Sequence, residues 1–176
     1  MRFHPIRRRQ FYVVLALAIL MAWPTLAVAQ EGNNPYGEWR YQSADSWGTR
    51  YSPVDQVNAE NFEDLEIAWL WRGDNFGPAP ASTSRSTPTY VDGILYSVAG
   101  ERRTVIALDP STGETLWTYR EPNTTRWERS MRASYGKGVG YGEIDGRGVI
   151  YLITPAFFLH AIDAKTGLPV ENWGEA

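Results

Sequence analysis

The chain has 176 residues with 17 basic and 20 acidic side chains, a net charge of −3, 8 Trp, 2 His and no Cys. Aromatics at 14% and hydrophobics at 43% are globular values and exclude disorder throughout. The missing Cys excludes a disulfide scaffold, thiolate metal centres, a cysteine nucleophile and a lipid-anchoring thiol. Two His exclude a multi-histidine metal site, and the acidic balance argues against nucleic acid as a partner.

The charge is unevenly spread. Arg2, Arg7, Arg8 and Arg9 lie in the first 30 residues, which hold no acid. The remainder therefore carries 13 basic against 20 acidic side chains, net −7. The basic start, the 13-residue apolar run Phe11–Trp23 and the small residues Ala27-Val28-Ala29 have the layout of a secretory signal. The run falls short of the roughly 20 residues that span a bilayer as a helix. A retained membrane anchor is the competing reading, and Arg8-Arg9-Gln10-Phe11 also resembles a twin-arginine export signal. Residues 1–29 are read as a signal peptide and the rest as an exported, periplasmic protein.

Residues 30–86 form an N-terminal segment. Asn58–Leu65 suits a short helical turn, with Asn58 as its cap and Glu60, Glu63 and Asp64 near its positive end. Leu65, Ile67, Trp69 and Trp71 alternate with the positions between them, the period-2 signature of a half-buried strand. Arg72–Ser86 is a Gly/Pro/Ser-rich loop. From residue 87 the punctuation becomes regular. Strands are expected at Thr87–Val91, Ile94–Val98, Thr104–Leu108 and Thr115–Tyr119, separated by Asp92-Gly93, Ala99–Arg103 and Asp109–Gly113. After a polar connection, Arg120–Arg129, the series restarts with strands at Lys137–Gly142, Val149–Thr154 and Phe158–Ile162 and a turn at Asp145-Gly146. No long amphipathic helix is expected, and the fold class is all-β.

The most informative feature is an internal repeat. Ala107–Trp117 (ALDPSTGETLW) recurs as Ala161–Trp173 (AIDAKTGLPVENW), with Asp109 to Asp163 and Gly113 to Gly167 both 54 residues apart. A four-stranded unit at this kind of period signals a β-propeller blade. Asp109 and Asp163 are placed to accept backbone N–H groups in a turn, Gly113 and Gly167 to take positive φ, and Trp117 and Trp173 to pack one blade on the next. Residues 87–135 then make a first blade with its connection and 136–176 an incomplete second blade.

At these residues the chain resembles the pyrroloquinoline-quinone (PQQ) dehydrogenase family, eight-bladed propellers whose blades carry a tryptophan-docking motif of this kind. Gly48–Pro53 (GTRYSP), Val57–Trp69 (VNAENFEDLEIAW) and Ser86–Gly100 (STPTYVDGILYSVAG) resemble its N-terminal region, and Gly136–Gly167 its second blade. The resemblance implies an incomplete propeller of about two blades, with part of Leu65–Trp71 or the segment before it closing the ring. It implies PQQ as cofactor, and Ca²⁺ held by ligands beyond this chain. It also implies oxidation of a sugar or alcohol CH–OH group, with a quinone or cytochrome as electron acceptor and inner-membrane association open. No residue here matches the family's catalytic motifs.

Three positions carry over to the cofactor. Lys137-Gly138 stands where many relatives have Arg-Gly contacting a PQQ carboxylate; lysine keeps the charge and loses the fork. Met131-Arg132 stands where alcohol-oxidising relatives have adjacent cysteines, so Arg132 becomes a candidate for stacking or pairing with the cofactor. This departure leans toward the sugar (glucose-type) or uncharacterised branches. Arg85 stands where alcohol-type relatives have a Glu two residues before Thr87-Pro88. Arg102-Arg103, in a hairpin turn, reads as plain surface, and His160 as a core or rim histidine. The alternative function is a non-catalytic envelope scaffold with the same repeat. Such proteins are typically anchored through a Cys, and none exists here.

Overall fold

Backbone pairing, rather than helix, organises the described residues of this computed structural model: 37–76, 83–130, 135–136 and 138–174. All lie in one unit, Gly32–Ala176. The expected signal peptide and residues 131–134 and 137 lie outside the described residues. In chain order come β1 (Thr83–Ser84), β2 (Thr89–Val91), β3 (Ile94–Ala99), β4 (Thr104–Leu108) and β5 (Thr115–Tyr119). The one-turn helix α1 (Thr125–Glu128) follows, then β6 (Tyr135–Gly136), β7 (Gly140–Ile144), β8 (Arg147–Ile153) and β9 (Leu159–Asp163).

Blade 1 is the antiparallel sheet β2-β3-β4-β5 and blade 2 the antiparallel sheet β7-β8-β9. A fourth blade 2 strand begins where Pro169 bridges Ile162 and Val170 N–H donates to Ala161 O at 2.9 Å. Two-residue turns at positive φ, Asp92-Gly93 and Asp145-Gly146, join the first two strands of each blade. The strand ends differ from expectation by one or two residues. Blade 2 departs most: its first strand begins at Gly140 and runs on to Ile144, because the stretch before it pairs elsewhere, β6 lying parallel to β1.

The two blades pack face to face. Val91, Tyr96, Val105 and Ala107 of blade 1 meet Ile150, Leu152, Ile162 and Ala164 of blade 2 in one buried cluster. β4 is buried along its whole length because it has packed neighbours on both faces, which suits its Val and Ile. The repeated turns are built alike. Asp109 Oδ1 accepts from Ser111 N–H at 2.7 Å, and Gly113 N–H donates to Asp109 O at 2.8 Å. Asp163 Oδ1 accepts from Thr166 N–H at 2.9 Å, and Gly167 N–H donates to Asp163 O at 2.9 Å. The glycines take φ of 73° and 72°, and a Cβ on Gly167 would come within 2.6 Å of the Trp117 ring.

The same joint ties the N-terminal segment to blade 1. A Cβ on Gly113 would come within 2.7 Å of the Trp69 ring, and Trp69 Nε1 donates to Pro110 O at 2.8 Å. Trp71 Nε1 donates to Thr115 Oγ1 at 3.0 Å. The stretch expected as a strand, Leu65–Trp71, pairs with no strand among the described residues. Its burial is confined to the two docked indoles, while Ile67 and Leu70 are 77% and 80% exposed. The helical turn expected before it is the 3-10 turn Phe62–Asp64, with Asn58 Oδ1 accepting from Glu60 N–H at 2.9 Å.

A contact that no sequence pattern indicated holds the edge of β2. Trp39 pairs antiparallel with Tyr90, with N–H···O distances of 2.8 and 3.0 Å in the two directions. Glu38 Oε1 accepts from Asp92 N–H at 3.0 Å, and Arg40 joins Glu38 at 2.6 Å to Glu143 of β7 at 3.3 Å. The segment therefore straps the first strands of the two blades together.

Candidate functional site

The antiparallel order gives each blade two ends. One carries the Asp-Gly turns and the two docking turns. The other carries the segments leading into β2 and β7, the turns Gly100–Arg103 and Thr154–Phe158, and the connection containing α1. At this second end the blades converge, because Thr83 pairs with Tyr135 and Ser84 with Gly136 in parallel register. Arg85 follows directly and is exposed. Gly138 lies alongside Ser86 and Thr87: a Cβ there would come within 3.3 Å of Ser86 Cβ, and its φ is 80°. Only glycine allows the two segments to run this close. Of the three cofactor candidates, Arg85 is thus placed at the convergence. Lys137 and Arg132 lie outside the described residues, although both neighbours of Lys137, Gly136 and Gly138, run beside the Arg85 segment.

The arginines expected on the plain surface are corrected. Arg103 is 5% exposed and reaches from the turn of blade 1 to blade 2, donating from Nη1 to Ile153 O at 2.9 Å. Arg102 donates from Nη2 to Glu121 O at 3.1 Å, and its guanidinium lies 4.1 Å from the Trp127 ring centroid. Burial holds the Arg102 pKa below its ordinary value. Glu121 itself is buried, and its Oε1 has no hydrogen-bond partner among the described residues. These side chains converge because α1 folds back over the turn. Thr124 Oγ1 caps the helix by accepting from Trp127 N–H at 3.1 Å, and Ser130 Oγ donates to Pro155 O at 2.5 Å. A turn arginine flanked by polar residues carries no local sign of burial, which is why sequence reasoning missed it.

His160 is half-buried and joins the blades: its Nδ1 lies 2.5 Å from Tyr119 Oη. Burial lowers its pKa below 6.5, so the neutral imidazole is favoured. The hydroxyl of Tyr119 is held protonated by burial and the nearby Glu121 carboxylate. This is a structural contact, as expected for a rim histidine. Among the described residues no group of three or more His, Cys, Asp or Glu side chains could hold a metal ion.

Two face-packed antiparallel blades, joined by tryptophans seated on glycine turns, define a β-propeller segment. Residues 39–176 match the profile of the family described as "Glucose/ethanol/alcohol dehydrogenase, beta-propeller domain", with PQQ as its short name. The chain belongs to this PQQ dehydrogenase β-propeller family. It is 35% identical over 141 residues to a 1-butanol dehydrogenase (cytochrome c) of Thauera butanivorans, covering 74% of this chain and 18% of that protein. It is 32% identical over 175 residues to the dehydrogenase subunit of an alcohol dehydrogenase (quinone) of Gluconobacter oxydans, covering 92% and 21%. The solved quinohemoprotein alcohol dehydrogenase of Comamonas testosteroni superposes with a TM-score of 0.56 at 29% identity, over 81% of this chain and 20% of that one. A europium-containing methanol dehydrogenase shares the fold, with a TM-score of 0.59 at 24% identity, over 76% and 22%. The chain thus spans about a fifth of the length of the curated relatives it matches.

PQQ is a planar quinone bearing three carboxylates. The convergent end offers the carboxylates of such a group a cation at Arg85, beside the close approach of Gly138 to Ser86.

Proposed function

We propose that this chain supplies the first blades of an exported quinoprotein dehydrogenase that oxidises the CH–OH group of an alcohol. The observation that carries the reading is the convergence of the two strand-leading segments, with Arg85 at their end. PQQ, when bound, supplies the two-electron acceptor. Arg85 and Lys137 anchor its carboxylates by charge-assisted contacts, and Arg132 borders it. Ca²⁺ or a similar ion, with ligands from outside this chain, polarises the reactive carbonyl. Relatives named for butanol, alcohol and glycerol favour the alcohol side of the sugar-or-alcohol expectation. Relatives named for cytochrome c and quinone support an acceptor of that class. The signal-like start supports a periplasmic location.

The test uses the protein of the complete reading frame, reconstituted with PQQ and Ca²⁺, and follows dye reduction with primary alcohols, glycerol and glucose. Alcohol-dependent reduction that needs PQQ is the expected result. Glucose as the preferred substrate would move the assignment to the sugar branch. No PQQ binding and no reduction with any donor would reject it.

A further inference from the structure

Beyond Ser130 the chain enters β6, whose two residues pair with β1 next to Arg85. A parallel pair this short has little stability of its own, and it joins segments that blade 1 separates in the chain. Its register is therefore imposed by whatever holds the connection between the blades. The connection cannot hold itself: α1 is four residues long, none of them buried, far below the length at which a helix persists alone.

Side chains from both blades pin it instead. On the blade 2 side, the guanidinium of Arg126 lies 4.5 Å from the centroid of Phe158, and Ser130 Oγ donates to Pro155 O. On the blade 1 side the pin is Arg102, in the Gly100–Arg103 turn. It holds the connection at two points, Glu121 O just after β5 and the Trp127 ring of α1. Arg102 Nε and Trp127 Nε1 are both buried without a hydrogen-bond partner among the described residues. The hold on α1 is thus the flat guanidinium against the face of the indole, which a lysine cannot reproduce.

We propose that Arg102 is a positioning residue for the cofactor end: by clasping Glu121 O and the face of Trp127, it fixes the path of the connection and so the seating of β6 on β1 beside Arg85. It acts through the connection and not by contact with the cofactor. The consequence for PQQ rests on the quinoprotein reading; the consequence for β1 and β6 does not.

Two readouts on the protein of the complete reading frame separate these consequences. One is PQQ affinity by absorbance titration. The other is hydrogen exchange of the β1 and β6 amides, followed from milliseconds to seconds without cofactor. Arg102→Met should weaken PQQ binding about tenfold, the sum of one stack and one hydrogen bond, and speed exchange in β1 and β6 while β3 and β4 stay unchanged. Trp127→Ala should do the same, and combining the two should add little, since both remove one pin. Trp127→Phe keeps a ring face and sacrifices no hydrogen bond made among the described residues, so it should remain close to wild type in both readouts. Arg102→Lys keeps the charge without the plane and should resemble Arg102→Met. Wild-type PQQ affinity in Arg102→Lys would show that charge at a distance, not positioning, is what matters, and overturns the proposal. So does unchanged β1 and β6 exchange in folded Arg102→Met and Trp127→Ala variants. A wild type that binds no PQQ rejects the quinoprotein reading, and the exchange still decides the positioning. Should Arg102→Met lose native circular dichroism, the Trp127 variants carry the comparison, and equal exchange in Trp127→Ala and Trp127→Phe overturns it.

Discussion

Gly113 and Gly167 each satisfy two demands at once, a left-handed φ and an indole against the Cα. Gly167→Val fails both, and we expect a loss of about 2–3 kcal/mol, read as a lower denaturation midpoint. The same substitution at Gly93, where an added Cβ meets nothing within 4 Å, carries only the backbone cost and should lose less. Arg103 is a different case, a buried cation whose donor satisfies a carbonyl in the next blade. Arg103→Met keeps most of the volume but leaves Ile153 O without that donor. It should cost about 1–3 kcal/mol by the same measurement, and an unchanged midpoint would show that the strut carries no stability. The glycines and the docking tryptophans were legible because the repeat sets them in matched positions. Arg103 was not, because its partner is 50 residues away and nothing in its own neighbourhood is repeated.

At the scale of elements, the outermost strand of blade 1 and the last strand of the blade 2 sheet meet through Tyr119 and His160. The imidazole pKa lies below 6.5 in the fold, so above pH 6.5 both folded and unfolded chains are neutral there and the group has no effect. As pH falls from 6.5 toward the folded value, the unfolded chain takes up the proton first and stability declines. Melting temperatures measured across pH 7.5 to 5 should fall for the wild type and fall less for His160→Gln; identical slopes would contradict this role. Alternation in the sequence indicated most strands, since β-branched residues recur between Asp-Gly turns. It could not tell that Leu65–Trp71 pairs with no strand among the described residues. Period-2 patterning records which side chains prefer burial, whereas ladder partners are a long-range property. The Trp39–Tyr90 pairing escaped for the same reason, as did α1, whose four residues are too few for a helical period.

For the whole molecule, the docking turns and the strap at Glu38–Arg40 hold the blades at one end, and the Arg103 strut and the β1–β6 pair hold them at the other. What the arrangement fixes is the convergence beside Arg85. The family was readable from the ordered motifs. For the site the sequence offered only the candidates Arg85, Arg132 and Lys137, because the resemblance places no catalytic motif in this chain. The central claim is that the convergent end holds the carboxylates of PQQ. It is tested most directly by titrating PQQ, with absorbance and tryptophan quenching as readouts, into the wild-type protein of the complete reading frame and its Arg85→Ala and Lys137→Ala variants. A charge-assisted contact is worth about 1.5–3 kcal/mol, so each variant should bind at least about tenfold more weakly. Wild-type affinity in both variants would contradict the account.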